Sequence, residues 1–279
     1  MNANLKKWTA AAVSISICVV ANAQDTGLKP QTISDWSCGW NGGGSNLSEP
    51  AAKDGNAVVL KGNGIVFSKG TISVDPAKTY QVSGSFKAVP GSKAGRFYLG
   101  VQPLNSDNVW IAPSQVNAVA GTDAELAEPC KPEDKVIKIK GGKGWEQGQY
   151  YFIAFNTDNS GSYSDLPNSA LSSMGFARVE NKGDVTEITL NDSCGKEFPA
   201  GTKVRVHRDS ATFMYIDSAS NAPAPAEWTE FKGVFKGENP FGVKTGVWYK
   251  GTRNARIILL GVSPELELMF KDVTLEEIK

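Results

Sequence analysis

Thr79-Tyr80-Gln81-Val82-Ser83-Gly84-Ser85-Phe86-Lys87 is the stretch that decides the fold class. Tyr80, Val82 and Phe86 fall on one face of an extended chain, and Gln81, Ser83 and Ser85 fall on the other. That period-two pattern belongs to a strand with one side on a core and the other in water. The habit recurs. Residues 96–101 align Phe97, Leu99 and Val101, and residues 228–235 and 265–270 alternate in the same way. Residues 150–155 and 256–260 are more uniformly apolar, which predicts central strands covered on both faces. Turn-forming stretches separate the runs: Asn41-Gly42-Gly43-Gly44-Ser45-Asn46, Pro90-Gly91-Ser92-Lys93, Gly141-Gly142-Lys143-Gly144 and Asp158-Asn159-Ser160-Gly161-Ser162. Many short strands so spaced predict an all-β protein, an antiparallel β-sandwich or jelly roll. Helical periodicity is confined to single expected turns over 122–128, ahead of Pro129, and over 169–174.

The centre has a different texture. From about 108 to 223 longer polar loops separate the strands, and 218–226, with Pro223 and Pro225, reads as a linker to the next strand. The arrangement expected is one domain over 24–279, a jelly roll with a large β-rich insertion at 108–223. Two small sandwiches, the first closed by strands from the C-terminus, are the alternative.

The chain opens with a leader. Lys6 and Lys7 precede an apolar run over 8–20, and Ala21-Asn22-Ala23 has the small-x-small pattern of a cleavage site. Residues 1–23 therefore read as a secretory signal peptide, and the mature protein is expected to be secreted, extracellular or periplasmic. Cleavage leaves 256 residues with 27 basic against 29 acidic side chains. Such a balance offers no electrostatic basis for nucleic acid or an anionic membrane as partner, and no later run is long enough for a membrane span. Cys38, Cys130 and Cys194 remain. An odd count in an oxidising compartment allows one internal bridge with one thiol over, and all three pairings stay open. With a single histidine, His207, and no C-x-x-C spacing, a zinc site is not expected.

The two ends of the mature chain resemble known modules. Gly55-Asn56-Ala57-Val58-Val59-Leu60 followed by the strand at 80–88, the 228–235 strand, and Ala255-Arg256-Ile257-Ile258-Leu259-Leu260 followed by Leu268-Met269-Phe270-Lys271-Asp272-Val273-Thr274-Leu275 carry the likeness. They resemble the opening and closing strands of carbohydrate-binding modules of the family 4, 9 and 22 type, which are galactose-binding-like jelly rolls. The likeness covers roughly 110 of the 256 mature residues and leaves the centre unmatched. It implies a sandwich fold, sugar binding, and a structural calcium near the sandwich edge. Lys271 stands where the family often has the first of two aspartates, so Asp272 alone carries over as a metal ligand. Apart from that calcium, no cofactor is expected.

Sugar rings present C–H patches that lie on aromatic faces, while their hydroxyls bond polar side chains around the rim. Trp110, Trp145 and the pair Trp248-Tyr249 all sit at predicted loop–strand junctions beside such side chains, and Arg253 follows the last pair. These five residues are the candidate ligand contacts. Trp36 and Trp40 are expected to cap the sandwich, Trp228 to be structural, and Arg256 to form a buried salt bridge. Catalysis has less to stand on. Asp107, Asp123, Glu125, Glu128, Asp158, Asp165, Glu180 and Glu187 crowd the centre, yet no pattern pairs two of them for glycoside hydrolysis. No G-x-S-x-G is present, His207 has no evident partner, and a lyase built on His207 or Tyr215 would rest on residue type alone. The expected function is secreted, non-catalytic binding of extracellular or cell-envelope polysaccharide. A structural or adhesin-type surface protein is the first alternative, and a polysaccharide hydrolase or lyase the second.

Overall fold

The computed structural model describes residues 27–39, 47–48, 56–93, 95–210, 213–239, 241 and 244–279. The stretch 1–23 expected as a leader, Trp40 and the glycine-rich stretch 41–46 expected as a turn lie outside these residues.

Tyr80, Val82 and Phe86 project inward from the ten-residue strand Thr79–Ala88, as their spacing predicts. Its neighbours are Thr229–Phe235 on one side and the long closing strand Glu267–Ile278 on the other. Val58–Lys61 and Leu47–Ser48 extend this first sheet, and Gly27–Leu28 adds to Glu267–Ile278. A second sheet runs in the order Met214–Tyr215, Arg96–Leu104, Asn254–Gly261, Gly64–Ser68 and Trp36–Cys38, with Ala222–Pro223 and Ile72–Ser73 added at its margins. The two sheets share one core. Val82, Phe86, Phe270 and Leu275 from the first meet Phe97, Leu99, Val101, Ile257 and Leu259 from the second. Phe86 stacks on Phe97 at 4.8 Å between ring centres, and Trp36 meets Phe270 edge-on at 5.2 Å. Each such fully buried side chain contributes about 1.5–3 kcal/mol of transfer free energy, which makes this layer the main stabilising element.

A third sheet takes every strand from residues 124–208, in the order Tyr151–Phe155, Lys203–Arg208, Ala124–Leu126, Val136–Lys140, Val185–Leu190 and Phe176–Lys182. It has its own core of Leu126, Ile137, Ile139, Ile153, Phe155, Phe176, Ile188, Val204 and Val206. The molecule is thus an all-β antiparallel sandwich of jelly-roll type with a β-rich insertion. Met214–Tyr215 and Ala222–Pro223 fall within 108–223, yet both pair with the sandwich strand Arg96–Leu104. Strand pairs among the described residues are antiparallel, save the two-residue parallel pair of Glu238–Asn239 with Trp248–Tyr249.

Three local expectations fail. Residues 122–128 do not form a helical turn: Ala124 and Leu126 point into the inserted core from a strand paired on both sides. Residues 169–174 form no helix either. They run beside Tyr151–Phe155, with the Ser172 amide donating to the Ile153 carbonyl and the Phe155 amide to the Ala170 carbonyl. Tyr151–Phe155, expected to be a central strand, is consequently an edge strand whose free margin is covered by a loop. A helical turn does occur at Pro113–Val116, where Pro113 occupies the first helical position and Gln115 caps the Ala112 amide at 2.8 Å.

Gly100 fixes the approach of Met214–Tyr215 to the second sheet. A Cβ there would lie 2.2 Å from the Met214 carbonyl oxygen and 2.8 Å from the Tyr215 Cα, both backbone atoms. Gly100→Ala is expected to cost about 1–3 kcal/mol in urea unfolding, the usual range for forced overpacking. An unchanged midpoint would show that this strand is free to move away.

Candidate functional site

Alternation along Lys203–Arg208 sends Val204 and Val206 into the inserted core and leaves Arg205 and His207 on the opposite face. That face is not wet. Arg205 has no exposed surface, and the loop over 156–168 folds across it. Its guanidinium bonds Asp165 Oδ2 at 2.8 Å and the Asp158 carbonyl at 3.4 Å, lies 3.7 Å from Asp123 Oδ1, and sits 4.7 Å from the centre of the Tyr163 ring. Asp165 also accepts from Asn168 Nδ2 and the Asp158 amide, each at 3.0 Å. Burial alone would raise the Asp165 acid, but these hydrogen bonds and Arg205 outweigh it and hold the carboxyl below its ordinary value. Burial raises Asp123, more than Arg205 lowers it.

His207 completes the cluster. Nδ1 lies 2.7 Å from the Ser114 carbonyl and Nε2 lies 3.4 Å from Arg205 Nε. A carbonyl needs a donor and a guanidinium needs an acceptor, so the ring is neutral with its proton on Nδ1. Burial, opposed in part by the Ser114 bond and reinforced by Arg205, pushes its pKa down to about 4. Sealed from solvent on this side, His207 holds the Pro113–Val116 turn to the inserted sheet and is not placed as a general base.

Where that turn ends, a cleft of about 690 Å³ opens, lined by Asn117, Tyr150, Arg208, Asp209, Ser210 and Phe241. Backbone bonds set its walls. The Arg208 amide donates to the Asn117 carbonyl at 2.9 Å, the Asp209 amide donates to the Tyr150 carbonyl at 2.7 Å, and Asn117 bridges Phe241. Phe241 belongs to the segment leading into the sandwich strand Trp248–Tyr249, and it meets Tyr163 edge-on at 4.9 Å. Tyr150 is 59% exposed and Phe241 46% exposed, so both rings offer free surface to this opening. Asp209 is the one carboxylate among its described lining residues.

The five residues expected from sequence do not meet in one place. Trp248 and Tyr249 are fully buried, Trp248 between Tyr80 and Phe235, and neither ring is open to a ligand. This corrects the expected rim position: the pairing of Trp248–Tyr249 with Glu238–Asn239 folds both rings into the sandwich core. Trp248 Nε1 and the Tyr249 hydroxyl have no hydrogen-bond partner among the described residues. Burial pushes the Tyr249 phenol up, with Asp209 adding to it. Trp145 is half-buried, stacked on Phe176 at 5.9 Å, with its Nε1 donating to the Thr122 carbonyl at 3.0 Å. Arg253 pairs with Glu238 at 2.9 Å. Trp110, 37% exposed, stacks on Phe213 over the outer face of the second sheet. Arg256 forms no buried salt bridge among the described residues. It bonds Gln102 and covers the Phe67 ring at 4.2 Å on that same outer face.

Asp272 is exposed at the bulge between Lys271 and Thr274, with φ of +52°. Asp tolerates that left-handed conformation better than most residues, which accounts for its presence there. No group of three His, Cys, Asp or Glu side chains placed to hold a metal ion occurs among the described residues. No helix among them is long and apolar enough to cross a membrane.

Tyr150, Phe241, Asn117, Arg208 and Asp209 were missed as a site because they come from separated segments joined only by the fold. Tyr150 heads an apolar run and gave the one usable signal.

No family model matches the chain, and no curated protein matches it. Among solved structures it is similar to the CBM22-1 xylan-binding domain from Paenibacillus barcinonensis Xyn10C, at 8% identity over 90% of each chain with a TM-score of 0.34.

The cluster makes a prediction about pH. The ordinary imidazole value is 6.5 and the folded value about 4. Between them the unfolded chain takes up the proton and the folded chain does not, so stability falls as pH drops through that window. His207 is expected to account for about 3 kcal/mol of that fall. Urea unfolding at pH 7 and pH 4 checks it: His207→Asn should flatten the slope, and an unchanged slope would contradict it.

Proposed function

We propose that this protein binds glycan chains without cleaving them, using the cleft lined by Asn117, Tyr150, Arg208, Asp209, Ser210 and Phe241. The observation that carries the reading is two exposed aromatic rings in one opening whose other walls are hydroxyl-bonding side chains. Tyr150 and Phe241 provide faces for the C–H side of a sugar ring. Asn117, Arg208, Asp209 and Ser210 provide donors and acceptors for its hydroxyls. The volume lies within the about 300–1,000 Å³ usual for small-ligand sites, room for a few sugar units. A single carboxylate among the described lining residues favours binding over hydrolysis, which needs two carboxyls about 5–10 Å apart. The resemblance of the outer strands to carbohydrate-binding modules supports the same class, and the leader at 1–23 would deliver the protein to extracellular or cell-envelope polysaccharide. Trp110 is a second exposed ring available to a long chain.

A glycan panel with titration calorimetry on the strongest hit tests this. Tyr150→Ala and Phe241→Ala are each expected to weaken binding roughly three- to tenfold, the worth of one aromatic face. Trp248→Ala should leave the affinity of folded protein unchanged while costing about 3–5 kcal/mol of stability. Trp110→Ala reads whether the outer ring takes part. Parent-like affinity in both Tyr150→Ala and Phe241→Ala would remove the site.

A further inference from the structure

The inserted sheet brings two cysteines together that lie 64 positions apart in the chain, with their sulfurs 2.7 Å from each other. Cys130 follows the strand Ala124–Leu126 and Cys194 follows Val185–Leu190. Both are buried in the inserted core. Neither depends on its sulfur for its position. Cys130 and Phe198 exchange both backbone N–H···O bonds at 2.9 Å, and the Cys194 amide donates to the Asp134 carbonyl at 2.8 Å. The separation is well inside the roughly 3.5–4 Å of ordinary nonbonded contact, so no other heavy atom can lie between the two. Cys38 is in a different layer, on the exposed end of the sandwich strand Trp36–Cys38.

We propose that Cys130 and Cys194 are joined by a disulfide in the folded protein, a covalent clasp around four of the six strands of the inserted sheet. Those strands are Val136–Lys140, Tyr151–Phe155, Phe176–Lys182 and Val185–Leu190. The closed loop also carries Asp165, the partner of Arg205, and Tyr150 of the cleft. The oxidant is a low-molecular-weight disulfide such as oxidised glutathione. One cysteine loses its proton and attacks an oxidant sulfur, expelling one glutathione thiolate. The second cysteine then loses its proton, attacks the protein sulfur of the mixed disulfide and expels the other. Two protein thiols become one S–S bond, and the two electrons and two protons leave on two molecules of reduced glutathione.

Burial and the bond to Cys194 push the Cys130 thiol well above its ordinary value. A buried thiol that resists ionisation is no redox-active nucleophile, so the clasp is structural and closes while the chain folds. It stands independently of glycan binding.

The test refolds the reduced, denatured full chain in mixed reduced and oxidised glutathione. The product is then denatured with iodoacetamide and digested without reductant for mass spectrometry. The expected result is one linked peptide pair containing Cys130 and Cys194, lighter by two hydrogens than the separate peptides, with Cys18 and Cys38 alkylated. Reducing the refolded protein should lower its thermal midpoint by about 10 °C, given the loop length. The double variant Cys130→Ser/Cys194→Ser should show that lower midpoint with or without reductant, and Cys38→Ser should keep the parent's response. Alkylation of both Cys130 and Cys194 in the refolded product, or a link from either to Cys38, overturns the proposal.

Discussion

A guanidinium with no solvent contact governs the centre of this molecule. Arg205 sits on a strand whose alternate residues, Val204 and Val206, must face the inserted core, so its charge is turned to the other side. Removing an ion from water costs several kcal/mol unless charge and hydrogen bonds replace the lost hydration. Asp165, Asp123, the Asp158 carbonyl and the Tyr163 ring supply that replacement. Three of those four groups lie on the loop over 156–168, which therefore has to cross the sheet. Crossing puts Tyr163 against Phe241, and Phe241 is one wall of the cleft. The opening is shaped in part by a salt bridge that no ligand reaches.

The sandwich was legible because each of its strands has one dry face. Thr79–Ala88 and Arg96–Leu104 declare that face through Tyr80, Val82, Phe86, Phe97, Leu99 and Val101, and the structure buries all six. The inserted sheet was harder to read. Val204-Arg205-Val206-His207-Arg208 has the pattern of a half-wet strand, and its second cover comes from a loop some forty positions away. A sequence pattern records which residues avoid water, not which partners exclude it. The same blindness explains Trp248 and Tyr249. Polar neighbours placed them at a rim, whereas contacts with Tyr80 and Phe235 place Trp248 in the core. At 122–128, Ala, Glu and Leu favour a helix, but pairing on both sides overrides that weak preference.

The candidate site was the least legible part. Its lining comes from position 117, position 150, the run 208–210 and position 241, which only backbone pairing at the end of Lys203–Arg208 assembles. No spacing rule links them. Aromatic residues chosen by their polar neighbours found one exposed ring, Trp110, which stacks on Phe213 over the outer face of the second sheet.

The cleft lies on the seam between two separately packed cores, with Phe241 contributed by the sandwich side and Tyr150 and Arg208 by the inserted sheet. Neither core needs a side chain from this opening to stay filled. Substitutions and length changes in the seam segments can therefore remodel the shape and polarity of the recess while both hydrophobic interiors remain intact. Such a layout uncouples the make-up of the recess from foldability.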